Sequence, residues 1–431
     1  MKAVILAAGE GIRLQPITLT RPKHMIKVGG KPLLEHCLNA LKAHGIDEAL
    51  IVTHYMGDVI RKYFSYGENF GLKIEYAEQK DVLGTGNAVS VAEPHVDGDF
   101  LLVYGDLLFS KEAVSKVLNV YRSGESISAV MAVVPVENPE NYGMVELDDE
   151  GKVKKLFEKP KRGEVSTDLA NAGIYVLSTE IFEKIRETSA SVRGEWEITD
   201  AVSLLLKEKK NVLAAKIPKE EWMDVGRPWD LLEANCWILT RMEHKVLGNI
   251  EEGAHLIGPV TVAENARIRS GAYIEGPVFI DEESDIGPNC YIRPYTSIGK
   301  GVRIGNACEI KNSIIMDRVH IGHLSYVGDS IIGENCNLGA GTITANYRLD
   351  GETVKMMVKG EVVDTGRRKL GAVLGDNVKT GINALFMPGV KVGVNTWVGP
   401  NVVVGRDLPS NTIVLAKQDV ERRSSNILFI C

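Results

Sequence analysis

The six cysteines of this 431-residue chain are scattered, and no two of them form a Cys-x-x-Cys pair. That excludes a zinc ribbon and a disulfide framework and leaves reduced thiols. Positive charge is not in excess either. Lys and Arg total 50 against 57 Asp and Glu, a net charge of −7, so no nucleic-acid partner is expected and any phosphate binding must be local. Long apolar runs are also missing: residues 3–8 are apolar, but Glu10 and Arg13 follow at once. Such a run is a buried strand, neither a signal peptide nor a membrane span, and a soluble, cytoplasmic protein without a membrane partner is expected. The length fits two or three domains with sizeable cores.

What is present is a six-residue ruler. Ile250, Leu256, Val262, Ile268, Ile274, Ile280, Ile286, Ile292, Ile298, Ile304 and Ile310 fall at every sixth position. Neither an α-helical face nor alternation of period 2 gives that step; a parallel β-helix does, at six residues for each short side of a coil. Ala266, Ala272, Ser284, Cys290, Thr296 and Cys308, each two positions before a ruler residue, are expected to point inward too. The count slips by one at Ile315 and again at Ile332, then resumes at Leu374 after an irregular excursion over about 344–372. By itself the repeat carries no chemistry, since such coils also serve as stalks.

Ahead of the ruler, strands and helices alternate: a buried first strand, helices at 32–44, 57–64 and 85–93, and strands at 49–53, 73–77 and 99–104. This is the pattern of an α/β domain with a mostly parallel sheet. The turn Ala7-Ala8-Gly9-Glu10-Gly11-Ile12-Arg13 after the first strand would let backbone N–H groups approach a phosphate, with Arg13 as a cation. It is neither a dinucleotide fingerprint nor a P-loop. Asp106, after the strand 99–104, and Asp224, after a second apolar stretch, stand where ligands of open sheets gather. Two carboxylates with substrate phosphates are the usual way to hold Mg²⁺.

Leu6-Ala7-Ala8-Gly9, Pro22-Lys23, Gln79 with Leu83-Gly84-Thr85-Gly86, Gly105-Asp106, Tyr142-Gly143, Glu158-Lys159-Pro160, Asn171-Ala172-Gly173 and Trp222–Gly226 together resemble the sugar-1-phosphate nucleotidylyltransferases over residues 1–228. The resemblance implies a Rossmann-like fold and a set of roles. Leu6, Ala8 and Gly9 would line the nucleotide site, Arg13 and Lys23 would neutralise its phosphates, and Gln79 would bond the edge of a pyrimidine packed on Gly84 and Thr85. Asp106 and Asp224 would hold Mg²⁺. Gly143, Glu158 and Asn171 would bind the sugar, with Lys159 near its phosphate. Ile12 departs from the family, which has Thr there. A helix over 227–248, with Pro228 in its first turn, is expected to connect the domains; the division is 1–228, 229–248 and 249–431.

Within the coil, Glu309-Ile310-Lys311, His323-Leu324-Ser325-Tyr326-Val327-Gly328-Asp329 and Gly339-Ala340-Gly341-Thr342 through Asn346-Tyr347 are similar to the acetyltransferase half of the bifunctional N-acetylglucosamine-1-phosphate uridylyltransferase/glucosamine-1-phosphate N-acetyltransferases. Acetyl transfer to an amine needs a base working near neutral pH, and histidine suits that task. The resemblance assigns His323 as base and Glu309 as its helper or as a contact to the amine. Arg293, Lys311, Tyr326, Asn337 and Tyr347 would bind the sugar phosphate, with Ala340 and Asn346 near the acetyl group of acetyl-CoA. It also implies a left-handed coil, a homotrimer or dimer of trimers, and acetyl sites between subunits. Ile382 replaces an expected serine, and the excursion over 348–371 is longer than in the bacterial form. UTP or dTTP, and a gluco- or galacto-configured sugar, stay open; so does a thymidylyl- or uridylyltransferase whose coil is only a stalk.

Overall fold

A computed structural model describes residues 1–161, 163–191 and 194–422. The chain forms two compact units, Met1–Met242 and Glu243–Cys431. Cys431 itself lies outside the described residues, and the other five cysteines are free thiols.

In the first unit all five residues of Ala3–Ala7 are buried, as expected of a strand covered on both faces. It pairs in parallel with Glu48–Thr53 and Phe100–Tyr104, and Glu48–Thr53 pairs in parallel with Lys73–Glu78. Leu169–Leu177 then runs antiparallel to Phe100–Tyr104 and extends the sheet through Gly143–Leu147 and Ile127–Pro135. Helices Leu33–Lys42, Gly57–Phe64 and Lys111–Ser123 fill the connections of this Rossmann-like α/β domain. The helix expected over 85–93 stops at Ser90. Pro94, which lacks an N–H, sits instead in a separate 3₁₀ turn, Glu93–His95.

The helix expected over 227–248 is also shorter, Pro228–Leu239. Asp230 caps its start by accepting from the backbone N–H groups of Gly226 (3.0 Å) and Arg227 (2.7 Å). Inside the first unit, its Asn235 accepts from the Gly29 N–H at 2.9 Å. The coil begins earlier than the ruler does, because Lys245–Val246 already pairs in parallel with Val260–Val262. Both Lys245 and Val246 are exposed, so that first strand carries no apolar mark.

The second unit is the parallel β-helix that the repeat calls for, consistent with the left-handed coil that the resemblance implies: among the described residues it has three parallel sheets of eight, nine and eight strands. Each side of a coil adds one short strand to one sheet. Ile250, Ile268, Ile286 and Ile304 stack in register, one coil of eighteen residues apart. The last three of these are fully buried, and each such isoleucine contributes about 1.5–3 kcal/mol. Ala266, Ala272, Ser284, Cys290, Thr296 and Cys308 are buried beside them. The corners turn through left-handed backbone, and asparagine, which tolerates that conformation, recurs there at Asn377, Asn395, Asn401 and Asn411. Stacked amides bond from corner to corner, as in Asn377 to Asn395 at 2.9 Å and Asn395 to Asn411 at 3.0 Å.

The two slips are shortened coils. Ile298 pairs with Ile315 and Ile315 with Ile332, seventeen residues each, and the missing residue is lost at the corners Lys311–Ser313 and Gly328–Ser330. In the next coil the same corner carries the excursion, so that Ile332 pairs with Leu374. The excursion is ordered rather than irregular. Leu370 donates to the Asn346 carbonyl at 3.0 Å where its ends meet, and Lys355–Val358 pairs antiparallel with Glu361–Asp364. Val354, Met356 and Val358 alternate with exposed residues and are buried, which is the period-2 mark of a strand.

Candidate active sites

The turn after Ala3–Ala7 requires glycine at position 11. Gly11 has φ +66, and a Cβ there would lie 3.0 Å from Lys23 Cβ and 3.1 Å from Thr18 Cγ2. This close approach aims Lys23 at Asp106, with which it forms an ion pair. Leu6, Ala8, Gly9, Lys23, Gln79, Gly84, Thr85 and Asp106 line one cavity of about 230 Å³. Gly84, at φ +109, is fixed by the neighbouring 195–197 segment: a Cβ would lie 2.6 Å from the Trp196 carbonyl. Gln79 is buried, and its amide donates to the Gly84 carbonyl at 3.2 Å and to Asn87 Oδ1 at 2.7 Å.

A second cavity, of about 240 Å³, is lined by Gly143, Glu158, Lys159, Asn171 and Asp224, and shares Thr85, Tyr104, Asp106 and Glu195 with the first. Asn171 donates to the Tyr175 hydroxyl and accepts from the Gly173 N–H, which fixes its amide. Arg13 is placed differently. It lines a third cavity of about 270 Å³ with Asp224, Arg227 and Asp230. One of its guanidinium nitrogens lies 3.0 Å from where a Cβ on Gly226 would stand. The structure therefore brings Arg13 to Asp224, and Lys23 to Asp106. Ile12 is exposed beside them.

Burial would raise the Asp106 carboxyl, but Lys23 beside it holds it below the usual carboxylate range. Asp224 is raised, by burial and then by the negative charge of Asp106. Two carboxylates that disfavour each other's ionisation fit a divalent cation, which would relieve that repulsion. Among the described residues, no cluster of three or more His, Cys, Asp or Glu side chains could hold a metal without such help from substrate oxygens.

Three residues here escaped the sequence reading. His24 lies in the wall of the first cavity, and burial, then Lys23, push its imidazole down to about 3, so it stays neutral. Glu195 lines both cavities, and Glu197 accepts from Thr85 Oγ1 at 3.2 Å. The alternation Glu195-Trp196-Glu197 ahead of a helix was the available signal.

In the coil, most of the expected residues gather on one sheet. Glu309 pairs with Tyr326 in neighbouring strands, and Tyr291 with Glu309. Arg293 donates to Glu309 Oε1 at 2.8 Å. Lys311 pairs with the buried Asp329 at 3.0 Å, and Asn346 donates to Asp329 and, at 3.1 Å, to the Tyr326 hydroxyl. His323 is exposed at the corner where this sheet begins. Gly341 donates to the His323 carbonyl, Asn383 to that of Ala340 and Asn401 to that of Ile382, so His323, Ala340 and Ile382 stack at one corner. Asn337 is not brought to this face; its strand, Asn337–Leu338, pairs with His320–Ile321 in a different sheet. Tyr347 is exposed at the start of the excursion, bridged to Lys369.

Known proteins align with this arrangement along nearly the whole chain. Residues 2–241 match the nucleotidyl transferase family, and residues 274–385 match the family described as the GMPPB C-terminal domain. The bifunctional protein GlmU of Methanocaldococcus jannaschii is 44% identical over 97% of this chain and 98% of its own. A bifunctional sugar-1-phosphate nucleotidylyltransferase/acetyltransferase of Sulfurisphaera tokodaii is 42% identical over 90% of this chain and 93% of its own. A crystal structure from Bacillus anthracis, named for glucose-1-phosphate thymidylyltransferase and holding sucrose, aligns with a TM-score of 0.50 and 30% identity over 57% of this chain and 97% of its own. The chain belongs to the family of bifunctional sugar-1-phosphate nucleotidylyltransferases and acetyltransferases that the archaeal GlmU proteins represent.

Proposed function

We propose that the chain acetylates glucosamine-1-phosphate with acetyl-CoA and transfers a uridylyl group from UTP to N-acetylglucosamine-1-phosphate, releasing pyrophosphate. The observation that carries the nucleotidyl half is that two cavities, one suited to a base and one to a sugar, meet at Asp106. With both amide hydrogens of Gln79 given to Gly84 and Asn87, its carbonyl oxygen is left to accept from the N3–H of a pyrimidine. Glu158, Asn171 and Gly143 bind the sugar, and Lys159 its phosphate. An oxygen of that phosphate attacks the α-phosphorus in line while Lys23 and Arg13 neutralise the departing phosphates; positioning and charge supply the catalysis. Mg²⁺ bound by Asp106 and Asp224 would add charge neutralisation at the same phosphates.

In the acetyl site His323 takes a proton from the sugar ammonium, Glu309 holds that amine, and Arg293, Lys311, Tyr326, Asn337 and Tyr347 hold the phosphate. The freed amine attacks the thioester near Ala340 and Asn346, and coenzyme A leaves as the thiol. A glucose-1-phosphate activity with dTTP is the second reading. The aligned thymidylyltransferase structure favours it, and thymine offers the same N3–H to Gln79. Release of thiol from acetyl-CoA is expected with glucosamine-1-phosphate, and release of pyrophosphate with UTP and N-acetylglucosamine-1-phosphate. Thiol release absent with every hexosamine phosphate would reduce the coil to a stalk. Pyrophosphate release only with dTTP and glucose-1-phosphate would overturn the nucleotide assignment.

Assembly as a homotrimer or dimer of trimers in the cytoplasm completes this reading. Its support is that Asn337 and Lys311 stand on different sheets of one coil, so one subunit does not bring both to one ligand. Light scattering should report three or six chains. A dilute monomer with full thiol-releasing activity would refute it.

A further inference from the structure

Asp329 is a buried carboxylate with no role in the scheme so far. It sits in left-handed backbone at the second of the two shortened corners. Its side chain accepts from three donors on the coils below and above: Lys311 Nζ at 3.0 Å, Asn312 Nδ2 at 2.7 Å and Asn346 Nδ2 at 2.5 Å. A carboxylate only accepts, so the atom that each asparagine turns toward it must be the NH₂. Asn346 also gives its NH₂ to the Tyr326 hydroxyl at 3.1 Å. Two consequences follow. The Asn346 amide cannot flip, so its carbonyl oxygen is the atom presented away from Asp329. And the Tyr326 hydroxyl, already accepting, keeps its own proton to donate. Lys311, tied through one hydrogen, has two N–H groups remaining.

We propose that Asp329 is a positioning residue for acetyl transfer, fixing Lys311, Asn346 and Tyr326 as one preorganised set of two N–H groups, one acceptor and one O–H donor. The ligand recognised is a sugar phosphate, whose phosphate takes the donors and whose hydroxyl or amine hydrogens meet the Asn346 carbonyl. This rests on the acetyltransferase reading above. The shortened corners are what make it possible: with one residue removed at Lys311–Ser313 and Gly328–Ser330, Asp329 comes within reach of both neighbouring coils.

The test measures thiol release and nucleotidyl transfer in the same preparations of the full chain. Asp329→Asn keeps the shape but removes the negative charge and one of the two acceptor oxygens, so Lys311 loses its ion-pair partner and the three donors no longer all have an acceptor. KM for glucosamine-1-phosphate should rise about tenfold or more, with nucleotidyl transfer unchanged. Lys311→Met should cost much in the native background and little on top of Asp329→Asn, because the two act as a unit. Asn312→Gly removes the third bond at a left-handed corner that glycine accepts, and should raise the same KM by a smaller factor even where Asp329→Asn does not fold. Native thiol release with an undiminished Asp329→Asn, or additive costs with Lys311→Met, overturns the positioning role. Absence of thiol release from the native protein instead overturns the acetyltransferase reading.

Discussion

Replacing Asp106 by Asn is expected to lower nucleotidyl transfer by about three orders of magnitude or more while leaving thiol release from acetyl-CoA intact. Asp106 stands where the two cavities meet, paired with Lys23 and close enough to Asp224 to raise its carboxyl. The neutral amide keeps the volume but removes half of the anionic pair proposed to hold Mg²⁺. It also leaves the Lys23 ammonium without its partner, so a cation proposed to meet the nucleotide phosphates is misplaced as well as uncompensated. Activity regained at high Mg²⁺ would mark weakened cation binding; a flat loss at all concentrations would mark misplacement of Lys23. Near-normal turnover at ordinary Mg²⁺ would sink the metal assignment. The separation from acetyl transfer follows from the chain itself, because Asp106 lies in the unit Met1–Met242 and every residue of the acetyl set lies in the other.

The coil was legible because each side gives its core one large apolar position beside a small one, so a column of large apolar residues writes itself into every sixth residue. Its start was not, since Lys245 and Val246 pair through backbone alone and leave both side chains in water. The slips at Ile315 and Ile332 were visible as broken counts, but their meaning needed the register. They are the corners that gather Lys311, Asn312 and Asp329, and a broken repeat was the signal that could have found Asp329. In the first domain the glycines and cations announced a phosphate site, whereas Glu195 and Glu197 reach it from a segment distant in sequence. Arg13 shows a further limit. Its spacing placed it on the phosphate loop, and only the tertiary packing of that loop against Gly226 and Asp224 shows where its guanidinium rests.

His323→Ala should slow acetyl transfer by about 10²–10⁴-fold, the usual contribution of a positioned general base. The loss should appear in kcat rather than in KM for glucosamine-1-phosphate, because Arg293 and Lys311 remain on the neighbouring sheet strands to meet the phosphate. The substitution is structurally mild. The hydrogen bonds at this corner use the His323 carbonyl, which accepts from Ser325 Oγ at 2.8 Å and from Gly341 N–H at 3.3 Å, and alanine keeps that carbonyl in place. The exposed side chain contributes nothing to the buried column of Ile321 and Val327. An unchanged melting temperature and assembly state are therefore expected, and nucleotidyl transfer to ready-made N-acetylglucosamine-1-phosphate should match the native rate. Added imidazole should restore part of the lost rate, since the corner is open and a free base can enter the space the side chain leaves. Parallel loss of both activities in a folded protein of native assembly state would contradict independent sites. Full thiol release without His323 would leave the amine's proton with another acceptor, and Glu309, already engaged by Arg293 at 2.8 Å, would be the next group to replace.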